Sequence, residues 1–137
     1  MNAQSAMQEW QAAAYARLTS DTTLMSMITG VFDNAAVPQN QTFPYVTLGD
    51  ITESPDNRFG RRGYDQINML DIWDSSNGFL NAQNILAQLN RLLDQQVLTL
   101  ATHAHVYTLY DNAQTLNDPG TNNIRHIPVR YKTFIQE

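Results

Sequence analysis

Three histidines and two aspartates are the side chains through which this sequence could do acid–base or metal chemistry. His103-Ala104-His105 sets two imidazoles on one face of a strand, because strand side chains repeat every two residues. Two such rings begin a metal site when His126 or an aspartate adds a third ligand. The plainer reading, two half-exposed strand histidines, is preferred. Asp71 and Asp74 flank Ile72-Trp73 and suggest an acid/base pair. At a strand end, however, they point to different faces. Asp74 before Ser75-Ser76-Asn77-Gly78 better suits a turn or helix-capping acceptor. There is no glycine-rich phosphate loop, no Gly-x-Ser-x-Gly elbow and no His-Glu-x-x-His. With no cysteine, thiolate nucleophiles, disulfides and cysteine zinc sites are excluded together. The expectation is no catalytic residue, no metal and no cofactor.

One basic cluster stands out, Arg58-Phe59-Gly60-Arg61-Arg62-Gly63. Arginine and phenylalanine interleaved with glycine is a form that single-stranded nucleic-acid binders use. The chain as a whole carries 8 Lys+Arg against 13 Asp+Glu, a net charge of −5. That balance disfavours duplex binding, which rests on phosphate neutralisation. Arginine and aromatic residues are also enriched where proteins meet proteins. Partner contact therefore ranks first for this cluster, a solvated loop second and nucleic acid third.

These groups must be positioned by a chain of 137 residues, enough for one core that buries roughly two-thirds of the unfolded surface. Hydrophobic residues are 42% but charged ones only 15%. The 13 Asn and 12 Gln make up the difference, leaving a polar, weakly charged surface of the kind that meets other protein. No basic patch and apolar run opens the chain, and no apolar stretch nears the ~18 residues of a membrane span. A soluble chain with one domain over residues 1–137 and no membrane partner is expected.

Periodicity predicts a helix over 5–18, with Ser5 to Gln8 as a capping box and Met7, Trp10, Ala14 and Leu18 on its core face. Asp21 offers the N-cap of a short helix that stops near Gly30. Strands follow over 45–51 and 64–73, joined by the polar segment 53–63 into a long-tipped hairpin. Ile67 and Met69 alternate, whereas Leu70, Ile72 and Trp73 break the alternation, suggesting that both faces are covered there. Phe79, Ala82, Ile85, Leu86, Leu89, Leu92 and Leu93 mark a long amphipathic helix. Its other face, Asn81, Gln83, Asn84, Gln88 and Asn90, is polar but uncharged. Residues 97–110 read as two short strands broken near Thr102, and Asn117-Asp118-Pro119-Gly120 as a turn. Ile127, Val129, Tyr131, Thr133 and Ile135 share one face of a last strand, which Pro128 places at an edge or bulge. The fold class is α+β: one mostly antiparallel, mixed sheet with two main helices on one face.

The order and spacing of several stretches resemble the tail completion, or tail terminator, proteins of long non-contractile-tailed bacteriophages. They are Ala14-Tyr15-Ala16-Arg17-Leu18-Thr19-Ser20-Asp21, then Leu24 and Ile28-Thr29-Gly30-Val31-Phe32-Asp33. Ala36-Val37-Pro38-Gln39 and Phe43-Pro44-Tyr45-Val46-Thr47-Leu48-Gly49 follow. Ile72-Trp73 precedes the long helix, and Asn123-Ile124-Arg125-His126-Ile127-Pro128-Val129-Arg130-Tyr131 closes the pattern. The resemblance covers nearly the whole chain. The Gln/Asn-rich long helix and the basic hairpin tip depart from the family pattern.

The resemblance implies a structural protein of the virion, assembled in the host cytoplasm at the head-proximal end of the tail. It implies a hexameric ring that caps the tail tube, stops its polymerisation and docks the head or neck connector. The partners would be other copies of the chain, the tube protein and a head completion protein, with DNA only passing through the lumen. Three contact regions are expected: the tip (Arg58, Phe59, Arg61, Arg62), the last strand (Arg125, Arg130, Lys132) and the outer face of the long helix (Gln83, Gln88, Asn90). The alternatives are another head–tail connector or minor tail protein and, far behind, a small enzyme built on the three histidines.

Overall fold

The computed structural model describes residues 4–117 and 123–137. Its elements are α1 (Met7–Thr19), α2 (Thr22–Met27), β1 (Val31–Asp33), β2 (Tyr45–Pro55), β3 (Gly63–Asp74), α3 (Leu80–Leu93), β4 (Ala104–Ala113), β5 (Leu116–Asn117) and β6 (Arg125–Gln136). The sheet runs β1-β2-β3-β6-β4, with β5 also on β6. Only β1 and β2 are parallel; the other pairings are antiparallel. This is the α+β class predicted, with α1 and α3 covering one face.

Strand alternation decides which residues lie beneath the helices. On β3 these are Tyr64, Gln66, Asn68, Leu70, Ile72 and Asp74, and on β6 Ile127, Val129, Tyr131, Thr133 and Ile135. Ala82, Ile85, Leu89, Leu92 and Leu93 of α3 and Trp10, Ala14 and Leu18 of α1 pack onto them. Each fully buried aliphatic side chain contributes about 1.5–3 kcal/mol.

A row of polar side chains crosses this apolar layer. Glu53, Gln66, Thr133 and Thr108 are successive register partners on β2, β3, β6 and β4. Gln66 Nε2 donates to Glu53 Oε1 (3.0 Å), Asn68 Nδ2 to Gln66 Oε1 (3.0 Å) and Thr133 Oγ1 to Asn68 Oδ1 (2.6 Å). Thr133 has used its proton, so Thr108 donates to it at 3.0 Å. Trp10 Nε1 then donates to Thr108 Oγ1 at 3.3 Å. The row is tolerated under the helices because its members satisfy one another.

Several expectations are corrected. α1 has no capping box: Ala6 is the N-cap, and the Ser5 hydroxyl (2.7 Å) and Ala6 amide (2.9 Å) donate instead to the Glu53 carboxylate of β2. A negative group beside a helix N-terminus also suits the helix dipole. Met7 is 36% exposed rather than in the core. Asp21 does cap α2, accepting from Leu24 N at 2.9 Å, but the helix ends at Met27, short of Gly30. β2 runs on to Pro55, so the loop at the hairpin tip is shorter than predicted. Ile67 and Met69 face the side away from the helices, and so does Trp73. Only one strand, β4, forms in the region expected to hold two.

Pro128 lies in β6, a central strand rather than an edge. Its carbonyl accepts from Gln114 N at 3.3 Å. In an antiparallel strand a residue's N and O point to the same neighbour. The missing donor therefore faces the gap where β4 ends at Ala113 and β5 begins at Leu116. The turn expected at 117–120 lies outside the described residues beyond Asn117.

Candidate interaction surfaces

The hairpin tip is built for rigidity. Asp56 N donates to Gly63 O (2.7 Å), and Arg58 and Arg61 exchange both backbone bonds (3.0 and 2.9 Å). Between them Phe59 (φ 51°) and Gly60 (φ 77°) are both left-handed, the signature of a two-residue hairpin turn matched to strand twist. Gly63 is required: a Cβ there would lie 2.2 Å from the Asp56 carbonyl oxygen.

The tip arginines fold back on the chain. Arg58 grips Asp56 through Nη2 (2.7 Å) and Nε (3.3 Å), and its guanidinium lies 4.5 Å from the centre of the Phe134 ring. The Arg58 hydrogen bond holds the Asp56 carboxyl below the usual carboxylate range. Arg61 donates to the Glu137 carbonyl (2.6 Å), Glu137 N to Arg62 O (3.0 Å), and Arg62 to the side chain of Gln4. Phe59 alone stands wholly in solvent, 104% exposed against a free reference.

The last strand sends Arg130 and Lys132 to the sheet's open face. Both approach Asp111 of β4, Arg130 Nε at 3.1 Å and Lys132 Nζ at 3.7 Å. The arginine contact is an ion pair without hydrogen-bond alignment. The guanidinium of Arg125 lies 5.9 Å from the centre of the Phe79 ring. The open face of Arg130 and Lys132 also carries Tyr107 and Leu109, each more than a third exposed. On α3, Gln83 is exposed, and Gln88 accepts from Arg91 Nε at 2.7 Å. Asn90 does not belong to the outer face. It is half-buried, and its Oδ1 accepts the Tyr131 hydroxyl of β6 at 2.7 Å.

The three histidines enter three separate arrangements. His103 precedes β4 rather than lying on it, and its Nδ1 meets Glu9 Oε2 of α1 at 2.8 Å. His126 meets Asp71 Oδ1 at 2.7 Å and stacks on Trp73, ring centres 3.9 Å apart. Asp74 faces the other way, buried, with Oδ1 accepting from Ser76 Oγ (3.1 Å) and Asn81 Nδ2 (3.3 Å). Among the described residues no group of three or more His, Cys, Asp or Glu is placed to hold a metal ion.

His105 closes the polar row. Thr108 has given its proton to Thr133, so His105 Nε2–H donates to Thr108 Oγ1 (2.7 Å), and Nδ1 accepts from Leu98 N (3.2 Å). This arrangement requires the neutral ring. Burial pushes its pKa down from 6.5, in agreement. The unfolded chain thus binds a proton that the folded chain resists. The stabilisation is full above pH 6.5 and is lost as pH falls below it. His105→Asn should flatten the slope of unfolding free energy against pH between 7.5 and 5.5; an unaltered slope would contradict the tautomer assignment.

One surface escaped the sequence reading. Met7, Gln8, Gln11, Ala12 and Tyr15 on the outer flank of α1 and residues 48–51 of β2 enclose an open groove of about 680 Å³. It exists because β1 covers only Val46 to Leu48, and the β2 register slips between Leu48 and Ile51. Met7 and Tyr15 share the 3.6-residue spacing of any helix face, so periodicity gave no sign that this flank is uncovered. No helix among the described residues is long and apolar enough to cross a membrane.

The sequence model of the family described as "Tail completion protein gp17" matches residues 12–136. Among solved structures, a chain from "Virion of native gene transfer agent (GTA) particle" is similar with a TM-score of 0.87 at 21% identity, over 98% of this chain and 100% of that one. "Structure of bacteriophage SPP1 gp17 protein" is similar with a TM-score of 0.61 at 21% identity, over 92% and 88%. At such identities the likeness concerns the fold. No curated protein matches the chain.

Proposed function

We propose, from the premise that this chain belongs to the tail completion protein gp17 family, that it forms a hexameric ring on the end of the tail tube. Members of the family are structural phage proteins, not enzymes, and the chain is a component of a phage-type particle. In our reading the ring sits at the head-proximal end, stops tube growth and gives the head or neck connector its docking surface. The match over residues 12–136 is the observation that carries this.

The geometry supports the reading in three places. A braced tip projects Phe59 with Arg58, Arg61 and Arg62 around it. The open sheet face presents Arg130 and Lys132, and Arg125 opens β6 beside Phe79. The outer side of α3 offers Gln83 and Gln88. These three are the proposed contacts with neighbouring copies, the tube protein and the connector. The net charge of −5 suits a lumen through which DNA slides without adhering, since like charges repel.

Solution mass across a concentration series tests the ring. A species of about 93 kDa, six chains of 15.5 kDa, is the expected result. Loss of the gene should then give overlong or unjoined tails by electron microscopy, whereas DNA-leaking heads would mark a head-side connector instead. Arg61→Glu with Arg62→Glu should lower the assembled fraction. The fold should survive, because the two exposed ties broken are each worth about 0–1 kcal/mol. Unchanged assembly would remove the two arginines from the interface.

A further inference from the structure

We propose that Phe59 of one copy seats in the α1–β2 groove of the next copy. The proposal rests on the ring reading above and names the contact that joins neighbours. Phe59 holds a backbone conformation (φ 51°) that residues other than glycine adopt rarely. Nothing among the described residues covers the ring, which is 104% exposed. The tip that carries it is fixed by the Arg58–Asp56, Arg61–Glu137 and Arg62–Gln4 contacts. A large apolar side chain presented this way loses little freedom when a partner takes it up.

The groove complements the tip in shape and charge. Its walls include Met7, Ala12, Tyr15, Leu48 and Ile51. Met7 is a pliable neighbour for an aromatic ring. Asp50 lines the groove, is exposed and has no hydrogen-bond or ion partner among the described residues. A tip bearing three arginines supplies its counter-charge. An aromatic anchor flanked by arginine is the composition of interface hot spots. Tip and groove are different surfaces of one molecule, so unless two copies exchange tips about a two-fold axis their union is heterologous. Repeated by rotation it closes a ring, and without closure it makes a filament. A second copy is therefore the occupant that both partners of the contact favour.

The test places the photo-crosslinking residue p-benzoylphenylalanine at position 59 of the full-length chain, keeping an aromatic ring there. Isotopically light and heavy chains are mixed and irradiated, and cross-linked peptides are identified by mass spectrometry. Links between light and heavy chains are expected on residues 7–15 or 48–51. Ala12→Trp fills the groove from an exposed position. It should abolish those links, and both it and Phe59→Ala should weaken association roughly 30-fold. Asp50→Lys, also exposed, should weaken it in the same direction with the far-UV spectrum unchanged.

The outcomes separate the contact from the ring. Hexamers whose links fall elsewhere, or persist with Ala12→Trp, overturn the contact and leave the ring standing. Groove links in dimers or open-ended chains uphold the contact and overturn the hexamer. A monomer at every concentration with no link between chains overturns both.

Discussion

Replacing Trp10 with alanine is expected to lower the unfolding free energy by about 4 kcal/mol. Trp10 is 1% exposed and lies between α1 and the sheet. Its loss opens a cavity that the neighbouring Ala14 and Leu18 cannot fill, because both are already fully buried on the same helix face. The substitution also removes the indole donor from Thr108, leaving the polar row one bond short. Trp10→Phe separates the two effects. It keeps most of the volume and loses the hydrogen bond, so about 1 kcal/mol is expected. Native stabilities are about 5–15 kcal/mol, which makes the alanine variant marginal at best. Urea unfolding of both variants gives the ratio. Equal losses would mean that packing at this position is not what matters.

Glu9→Gln should cost about 3 kcal/mol at neutral pH and should also alter the acid limb of the stability curve. Glu9 is 7% exposed and accepts from Thr102 N (2.6 Å), Thr102 Oγ1 (2.8 Å), His103 N (3.2 Å) and His103 Nδ1 (2.8 Å). Burial pushes its carboxyl pKa up, but the hydrogen bonds from Thr102 and His103 outweigh it and bring the value from 4.5 down to about 2. The folded chain thus resists a proton that the unfolded chain binds. The stabilisation is present above pH 4.5 and is lost as pH falls towards 2. A shift of that size corresponds to roughly 3 kcal/mol. A glutamine amide turns two donor hydrogens towards Thr102 and His103, which are themselves donors. The wild type should lose about half of the Glu9 contribution by pH 3, and the variant none of it. Parallel acid limbs in the two proteins would refute this account.

What the sequence made legible follows from which signals are local. α3 carries its apolar stripe at helical spacing, and β6 alternates over five residues, so both could be located. The hairpin followed from two runs of strand formers around a polar segment. The three residues of β1 are too few to carry a period, and their pairing is parallel and non-local. Residues 97–103 are rich in strand formers, yet Glu9 takes up the backbone amides of Thr102 and His103 and draws the segment onto α1. Ser5 fits a capping box, but a carboxylate 48 residues away captures its hydroxyl.

The layout of the proposed contact regions was legible by composition and not by direction. Arg58, Phe59, Arg61 and Arg62 fall together at one tip as expected. That three of them brace it and one projects was not readable. Asn90 sits among the amides of α3 in sequence, yet its phase on the helix turns it to Tyr131. The groove depends on where β1 stops, which no residue pattern announces.

The polar row beneath the helices also bears on folding fidelity. Apolar alternation guards a sheet against a slip of one residue, which turns every side chain to the wrong face. A slip of two restores the faces and passes that check. It does not pass the row. Moving β6 by two residues against β3 would replace Thr133 opposite Gln66 with Tyr131 or Ile135. Asn68 Oδ1 would lose the Thr133 hydroxyl that it accepts, and a buried polar group left unsatisfied costs about 1–3 kcal/mol. Glu53, Gln66, Asn68, Thr133 and Thr108 thus act as an alignment key across four strands, admitting one pairing among those that hydrophobicity alone would accept. In the ring proposed above, one misaligned copy would spoil its contacts with both neighbours.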